Sequence, residues 1–591
     1  MYILVSRTVD GNVAVSTLTD TGAARSPSRS LSTAEFLGFV RDHEALMPRW
    51  VWDDTARWYP QLLAAGIRVQ RGHDLRLCHV ILRNSELTAT SQLARAAPGV
   101  WDSASVPDSP AAVSSDTLFD LAFGAKTSAS GGIIAQDRGV GDTQPGDVDA
   151  YAELISQLDA VASCAEPGRL RLLLAAESAG ALIAAEMQFA GLPWRSDIHA
   201  NLLTAELGPR VAHGVRPVRL EELARQIRAA LDDASLNPDS QQDLLRALRR
   251  ADVAVASTRA WELKKVTHPV VEPLLEYKKL SRLLGANGWH WMDTWIVGGR
   301  FHPEYVPGGV VTGRWATRGG GALQLPKQVR GAVVADDGWK LVVADAAQLE
   351  PRILAALSAD TAMAAAGRGK DLYEGIVTSK VVETRAQAKV AMLGAMYGAT
   401  TGESGRLLPR LARAYPRALA LTETAARSGE RGDIVTTRLG RSSPRPDENW
   451  RATQAQAYDP AASATDERRA RSQARDWGRF TRNFIVQGSA AEWALCWMAE
   501  IRKALWDLER PDEKRVIDDT MTGPAPAFDH SPHLVFFLHD EVIVHTPAEF
   551  AGEVTRIITE AATTAGRLLF GDFPVDFLLT VATVDSYAEA Q

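Results

Sequence analysis

The spacing of apolar residues divides this chain into segments of different kinds. Tyr2-Ile3-Leu4-Val5, Val13-Ala14-Val15 and Trp50-Val51-Trp52 predict strands in a compact α/β unit over residues 1–100. The last of them runs through Asp53 and Asp54 into a predicted helix. Residues 101–150 are rich in Ser, Ala, Asp, Gly and Pro and have no apolar period, so a flexible loop or linker is expected there. Leu170 to Ala185 is mostly apolar and alanine-rich, and residues 217–285 give amphipathic helical runs. Further on, Lys340 to Asp345 reads as a strand and Ile353 to Leu357 as a helix. Phe537 to His545 reads as a hairpin, and Phe577 to Val581 as another strand. No internal repeat is visible.

The hairpin breaks the pattern of its surroundings. His539, Asp540 and Glu541 interrupt an otherwise β-branched, apolar stretch. Buried carboxylates are costly without a cation to neutralise them. A tight turn carrying the acids, balanced by a metal, is the expected geometry. Asp345 ends its own apolar strand and offers a second carboxylate. Two such acids on neighbouring strands suit a pair of divalent ions about 4 Å apart. Taken singly, Asp345 also reads as a helix N-cap, and Asp540-Glu541 as an exposed turn.

A third element decides between these readings. Arg385, Lys389, Leu393 and Tyr397 recur every four residues in a composition that favours helix. They share one slowly drifting face spanning about 18 Å. Two cations followed by Leu and Tyr suit a triphosphate at one end and a flat base and sugar at the other. The plainer alternative is an amphipathic surface helix with a solvated Arg/Lys edge.

In this order the three segments resemble motifs A, B and C of the family A DNA polymerases, the bacterial DNA polymerase I group. Asp345, Gln348, Glu350 and Arg352 match the first motif. Arg385, Lys389, Tyr397 and Gly398 match the second, with Leu393 where the family usually has an aromatic. His539-Asp540-Glu541 matches the third. Thr312-Gly313-Arg314 followed by Leu323-Gln324-Leu325-Pro326, and the helix carrying Arg479, Asn483, Gln487 and Gly488, are similar to two further family segments.

The resemblance implies a multidomain α/β (α+β) chain with a right-hand polymerase of palm, fingers and thumb, preceded by a degenerate RNase H-like 3′–5′ exonuclease domain. Its implied boundaries are 1–165 for the exonuclease-like unit and 166–330 for the start of the palm and the thumb. Motif A lies in palm 331–365, motif B in fingers 366–440, and the minor-groove helix and motif C in palm 441–591. A counterpart of the family's 5′-nuclease domain is not expected, since the polymerase motifs begin too early to leave room for it.

The implied activity is DNA-directed DNA synthesis on primer-template DNA with dNTPs. Asp345 and Asp540 would bridge two Mg²⁺ ions, with Mn²⁺ as a substitute and the Ala346 carbonyl as a further ligand. Glu541 would support them. Lys389 and Arg385 would hold the triphosphate, and Lys389 would also donate a proton to pyrophosphate. Glu350 would exclude ribonucleotides, with Gln348, Leu393, Tyr397 and Tyr373 completing the dNTP site. Arg314, Asn483 and Gln487 would check the terminal base pair from the minor groove. Arg479 belongs to the same DNA-facing helix, and His539 would touch the primer-end phosphate.

The N-terminal unit departs from the exonuclease pattern. Ile3 to Val15 contains no Asp-x-Glu. Asp53, Asp54 and Asp74 form no clear motif, and Asp149 lacks the Tyr expected four residues before it. An exonuclease-like fold without the activity is expected.

Composition narrows the field. The chain has 591 residues, 46% hydrophobic and 23% charged, as in a multidomain globular protein. No apolar run of transmembrane length is visible, and the N-terminus has no signal-peptide pattern, so a cytoplasmic monomer with no membrane association is expected. Three widely separated cysteines fit reduced thiols better than a disulfide framework or zinc site. The net charge of −7 argues against non-specific coating of nucleic acid, but arginines cluster over 406–451 and 468–482, where phosphate contacts are expected. Two rival readings are a single-subunit RNA polymerase-like enzyme, against which Glu350 and the Gln487 helix argue, and a catalytically reduced DNA-binding or scaffold protein.

Overall fold

The computed structural model describes residues 1–591 except 103–148, 213, 319–320, 399–401, 458, 461, 509–527, 529 and 591. The linker expected over 101–150 therefore lies almost wholly outside the described residues.

The first unit is built on a five-stranded sheet. Its strands are β1 (Tyr2–Arg7), β2 (Val13–Leu18), β3 (Arg29–Leu31), β4 (Arg49–Trp52) and β5 (Arg71–Asp74), in the order β3-β2-β1-β4-β5. The first three pair antiparallel, whereas β1, β4 and β5 run parallel. Parallel neighbours need crossover helices, which cover the sheet. They are the helix Thr33–Glu44, which leads into β4, and α1 (Thr55–Ala64), between β4 and β5; α2 (Leu75–Asn84) follows β5, with α3 (Ala150–Ala162) packed beside it. Burial on both faces explains the apolar runs: Ile3, Val5, Trp50, Val51 and Trp52 are fully buried.

Helix α4 (Pro167–Ala190) joins this unit to the rest. Proline opens it, and Gly191 closes it with φ of +70°. It is apolar on several faces because it has two cores to serve. Leu182 packs into the N-terminal core, and Leu173, Ile183 and Met187 into the main one. Helices α5 (Val218–Ala230) and α6 (Val271–Asn287) pack together where the amphipathic runs were predicted.

The second sheet carries the acids. Its strands are β6 (Trp339–Ala346), β7 (His533–Leu538), β8 (Glu541–Pro547) and β9 (Leu579–Val584). They are antiparallel in the order β7-β8-β6-β9. The last strand starts later than the sequence suggests. Phe577 lies before it and stacks on Trp493 at 4.9 Å, so the aromatic serves packing instead of the ladder.

Helices α7 (Leu349–Leu357), α8 (Arg385–Tyr397) and α9 (Pro416–Glu430) lead to α10 (Ala464–Asp507), and α11 (Ala551–Phe570) packs on the sheet. Helix α10 starts at a reciprocal Ser463/Asp466 capping box. Its 44 residues extend roughly 66 Å. Gly488 on α10 lets the loop carrying Thr437 come close, since a Cβ there would lie 2.4 Å from the Thr437 side chain.

The far end of α10 is bolted to the first unit. Arg502 donates to Glu186 at 2.9 and 2.7 Å and to the Gln70 and Val69 carbonyls at 2.8 and 2.5 Å. The Tyr59 hydroxyl reaches Glu186 at 2.5 Å. No described helix is long and apolar enough to cross a membrane.

Candidate active site

Strand pairing brings the two distant acids together. Asp345 stands opposite Glu541 in the β6–β8 register. One step on, the Ala346 N–H donates to the Asp540 carbonyl at 2.9 Å. The turn holding Asp540 is unusually tight. His539 takes φ of +61°, and the Asp540 N–H returns to the Leu538 carbonyl at 2.8 Å. This is a three-residue γ-turn of the rarer, strained hand. The predicted turn is thus His539-Asp540, while Glu541 already belongs to β8.

The electrostatics explain why a cation belongs here. Burial, with Asp345 as the next cause, pushes Asp540 up to about 7. Burial also raises Asp345, against the pull of Arg330. Two half-buried carboxylates that disfavour each other's ionisation suit a cation between them. Oxygen-only donors suit a hard divalent ion such as Mg²⁺ or Mn²⁺. Among the described residues no three His, Cys, Asp or Glu side chains converge as a ready-made cage, so further ligands must come from backbone, water or substrate.

Glu541 has protein partners. The Tyr587 hydroxyl donates to it, Arg330 lies 3.8 Å away, and the Arg330 guanidinium sits 4.3 Å over the Tyr587 ring.

On the other side of Asp345, Glu350 accepts from Arg314 and from the Tyr397 hydroxyl, and the Gln487 amide reaches that hydroxyl at 3.4 Å. Four residues predicted from four separate segments thus form one chain of hydrogen bonds. Gly313 permits it: with φ of +87°, a Cβ there would lie 2.5 Å from the Arg441 Nε. Asn483, one turn before Gln487, has a buried Oδ1 with no hydrogen-bond partner. Arg479 is exposed and paired with Asp476.

The α8 face forms as predicted, but its first cation is occupied. Arg385 pairs with Asp371 at 2.8 Å and lies 5.5 Å over the Tyr373 ring. Gln348, held at φ of +51°, bonds the same Asp371 at 3.2 Å and accepts from the Leu372 N–H at 3.2 Å. Lys389 is exposed and has no ion pair among the described residues. Leu393 is half-buried against the core.

A family model for DNA polymerase family A matches residues 216–588. The chain belongs to DNA polymerase family A. It is 24% identical to the thermostable DNA polymerase I of Thermus filiformis, over 62% of this chain and 41% of that one. It is 25% identical to DNA polymerase I of Aquifex aeolicus, over 52% and 50%. The chain thus spans about two fifths to half the length of these relatives. Its fold is similar to the POL domain of Pol1 from M. smegmatis, solved in complex with DNA primer-template and dNTP. That TM-score is 0.61 at 17% identity, covering 100% of this chain and 95% of that one.

Within this family A chain, sequence reasoning missed Asp371, Arg330 and Tyr587. Asp371 had a legible signal as a helix N-cap, since it accepts from the Glu374 N–H at 3.0 Å. Tyr587 had none, because its role depends on the C-terminal segment returning beside the hairpin. Some arginines of the predicted phosphate clusters turn inward instead. Arg441 pairs with buried Glu177 at 2.6 Å, Arg482 with Glu423 at 2.6 Å, and Arg438 reaches the Leu569 carbonyl at 2.5 Å.

The N-terminal acids are also spoken for. Asp54 and Asp74 cap α1 and α2, and the Arg76 Nε donates to Asp54 at 2.9 Å. Asp53 accepts from Arg57 at 3.1 Å and from the Trp58 indole at 2.5 Å. Asp149 caps α3.

Proposed function

We propose that the chain is a template-directed DNA polymerase that extends a primer 3′-hydroxyl with dNTPs and lacks proofreading. The observation carrying this reading is the half-buried Asp345–Asp540 pair, set beside the Arg314–Glu350–Tyr397–Gln487 chain. Asp345 and Asp540 would hold two Mg²⁺ ions, with the Ala346 carbonyl as a further ligand. Bound there, such ions acidify the attacking hydroxyl and neutralise the leaving pyrophosphate.

The protein groups divide the remaining work. Lys389 is exposed near the start of the α8 face and would meet the triphosphate, where cations are most valuable as charge develops. Arg385 would join it by exchanging Asp371 for phosphate. Glu350, fixed by Arg314 and Tyr397, would close the space beside the sugar C2′. Arg314, Asn483 and Gln487 would probe the minor-groove acceptors, which are nearly the same for all pairs.

Absence of proofreading is supported by the N-terminal acids. Asp54 and Asp74 are consumed by helix caps and share Arg76, a cation already in place. The unit at 1–165 is thus read as an exonuclease-like fold put to structural use.

Primer extension with dNTPs against NTPs, with Asp540→Ala as control, tests the synthetic activity. Extension by dNTPs that is lost in the variant is expected; none by the intact chain rejects it. A 3′-labelled single strand with Mg²⁺ or Mn²⁺ tests the other half. Shortening that survives Asp345→Ala but not Asp54→Ala overturns the absence of proofreading.

A further inference from the structure

A cavity of about 340 Å³ lies at the end of the second sheet remote from the acids. Its walls include Trp339, Phe528, His533 and His545, and Arg300 and Asp336 also line it. Trp339 and Asp345 stand at opposite ends of β6, roughly 20 Å apart at about 3.4 Å per residue. The cavity is therefore separate from the site proposed for dNTPs. Its volume is near the lower end of the roughly 300–1,000 Å³ range of small-ligand pockets. That is room for one base and its sugar, not for a duplex.

The walls are flat and uncharged. His545 stacks on Trp339 with centroids 4.4 Å apart and planes at 22°, and His533 lies on Phe528 at 4.8 Å and 30°. Burial pushes both imidazoles down to about 3, so they are neutral at physiological pH. The lining charges are Arg300 and Asp336. They pair through one Arg300 Nη2 contact with Asp336 Oδ2, and their side chains remain 28% and 44% exposed. Asp336 Oδ1 and Arg300 Nε and Nη1 have no hydrogen-bond partner among the described residues. An acceptor and two donors, presented together between aromatic rings, describe the complement of a base edge.

Base chemistry selects among candidates. Guanine presents N1–H to the free carboxylate oxygen, and O6 and N7 side by side to a guanidinium. Adenine offers N6–H₂ and N7 but no second acceptor beside them, and thymine offers a single N–H. We propose that this cavity binds an unpaired guanine base, stacked on the aromatic walls, with Asp336 on its donor edge and Arg300 on its acceptors. The base could come from a free guanine nucleotide or from a single strand of DNA, and the chemistry is the same.

Calorimetric titration of the full chain with dGMP and dAMP, and with oligothymidylates carrying a single guanine or adenine, tests this. The guanine ligand is expected to bind at least about tenfold more tightly than its adenine counterpart. That preference should persist in Asp540→Ala and fall to about twofold or less in Asp336→Asn and Arg300→Gln at unchanged melting temperature. If one variant fails to fold, the other carries the test. Binding of dGMP without the strand identifies a free nucleotide, and tighter binding of the strand identifies a single-stranded base. Equal affinity for adenine, loss in Asp540→Ala instead, or binding by neither form overturns the proposal.

Discussion

The Ala346 N–H donates to the Asp540 carbonyl at 2.9 Å, one residue beyond Asp345. This bond fixes the two acid-bearing segments at the end of the sheet where both side chains are half-buried. Proximity that serves a bound cation costs stability in its absence. Asp540→Asn is therefore expected to lower primer extension by about a hundredfold or more while raising the metal-free melting temperature. Extension assays and differential scanning calorimetry with chelator check the pair of effects; a fall in both contradicts the account.

Glu350 is shared by Arg314 and Tyr397, so its removal frees both partners. Glu350→Ala should raise ribonucleotide use relative to dNTP use by about tenfold or more, and Tyr397→Phe by less. Because the residues touch, their effects should not add, with a coupling of about 1–3 kcal/mol. A double-mutant cycle on kcat/KM for dNTP and NTP measures it.

Leu393 presents a half-buried aliphatic surface on the α8 face proposed to meet the sugar. A tyrosine there adds a hydroxyl able to stand in for a missing sugar 3′-hydroxyl, and one net hydrogen bond is worth about 1 kcal/mol. Leu393→Tyr should therefore raise the ddNTP/dNTP incorporation ratio by roughly fivefold. An unchanged ratio in a competition assay counts against the placement of Leu393 at the sugar.

Glu492 lies wholly buried on α10, accepting from the Thr437 hydroxyl and from the Leu439 N–H at 2.8 Å. Burial pushes it from 4.5 up to about 7. The folded chain then binds a proton that the unfolded chain has released between those values. Stability from this group is complete below pH 4.5 and is lost as pH rises through about 7. The loss is roughly 3 kcal/mol. Glu492→Gln should flatten the fall of melting temperature between pH 5 and 7.5, and an unaltered slope would show that the carboxyl is ionised throughout.

Local pattern made much of this visible in advance. The strand ending in Asp345, the hairpin at Asp540 and the four-residue spacing of Arg385, Lys389, Leu393 and Tyr397 are written in neighbouring residues, and each forms as expected. The partnerships are not. Arg352 illustrates the difference. It is 1% exposed and donates to the carbonyls of Ala347, Gly367, Lys370 and Asp576. Its motif position was legible, but its use as a structural tie depends on how nearby chain and the distant Asp576 fold around it. The Arg385–Asp371 pair and the return of Tyr587 to Glu541 were likewise hidden because they depend on how separate elements pack together. The arginine clusters misled in the opposite direction, because charge density alone does not separate Arg441, bound to buried Glu177, from a residue open to solvent.

The junction of Arg502, Glu186 and Tyr59 bears on why the first unit persists. Cutting the chain before α4 would strand Arg502 and Glu186 without the Tyr59 hydroxyl and the Val69 and Gln70 carbonyls, and strip the cover from Leu182. The N-terminal sheet thus behaves as a foundation wall, not a detachable tool. What keeps a unit in that position is the weight it carries, whatever chemistry its own acids perform.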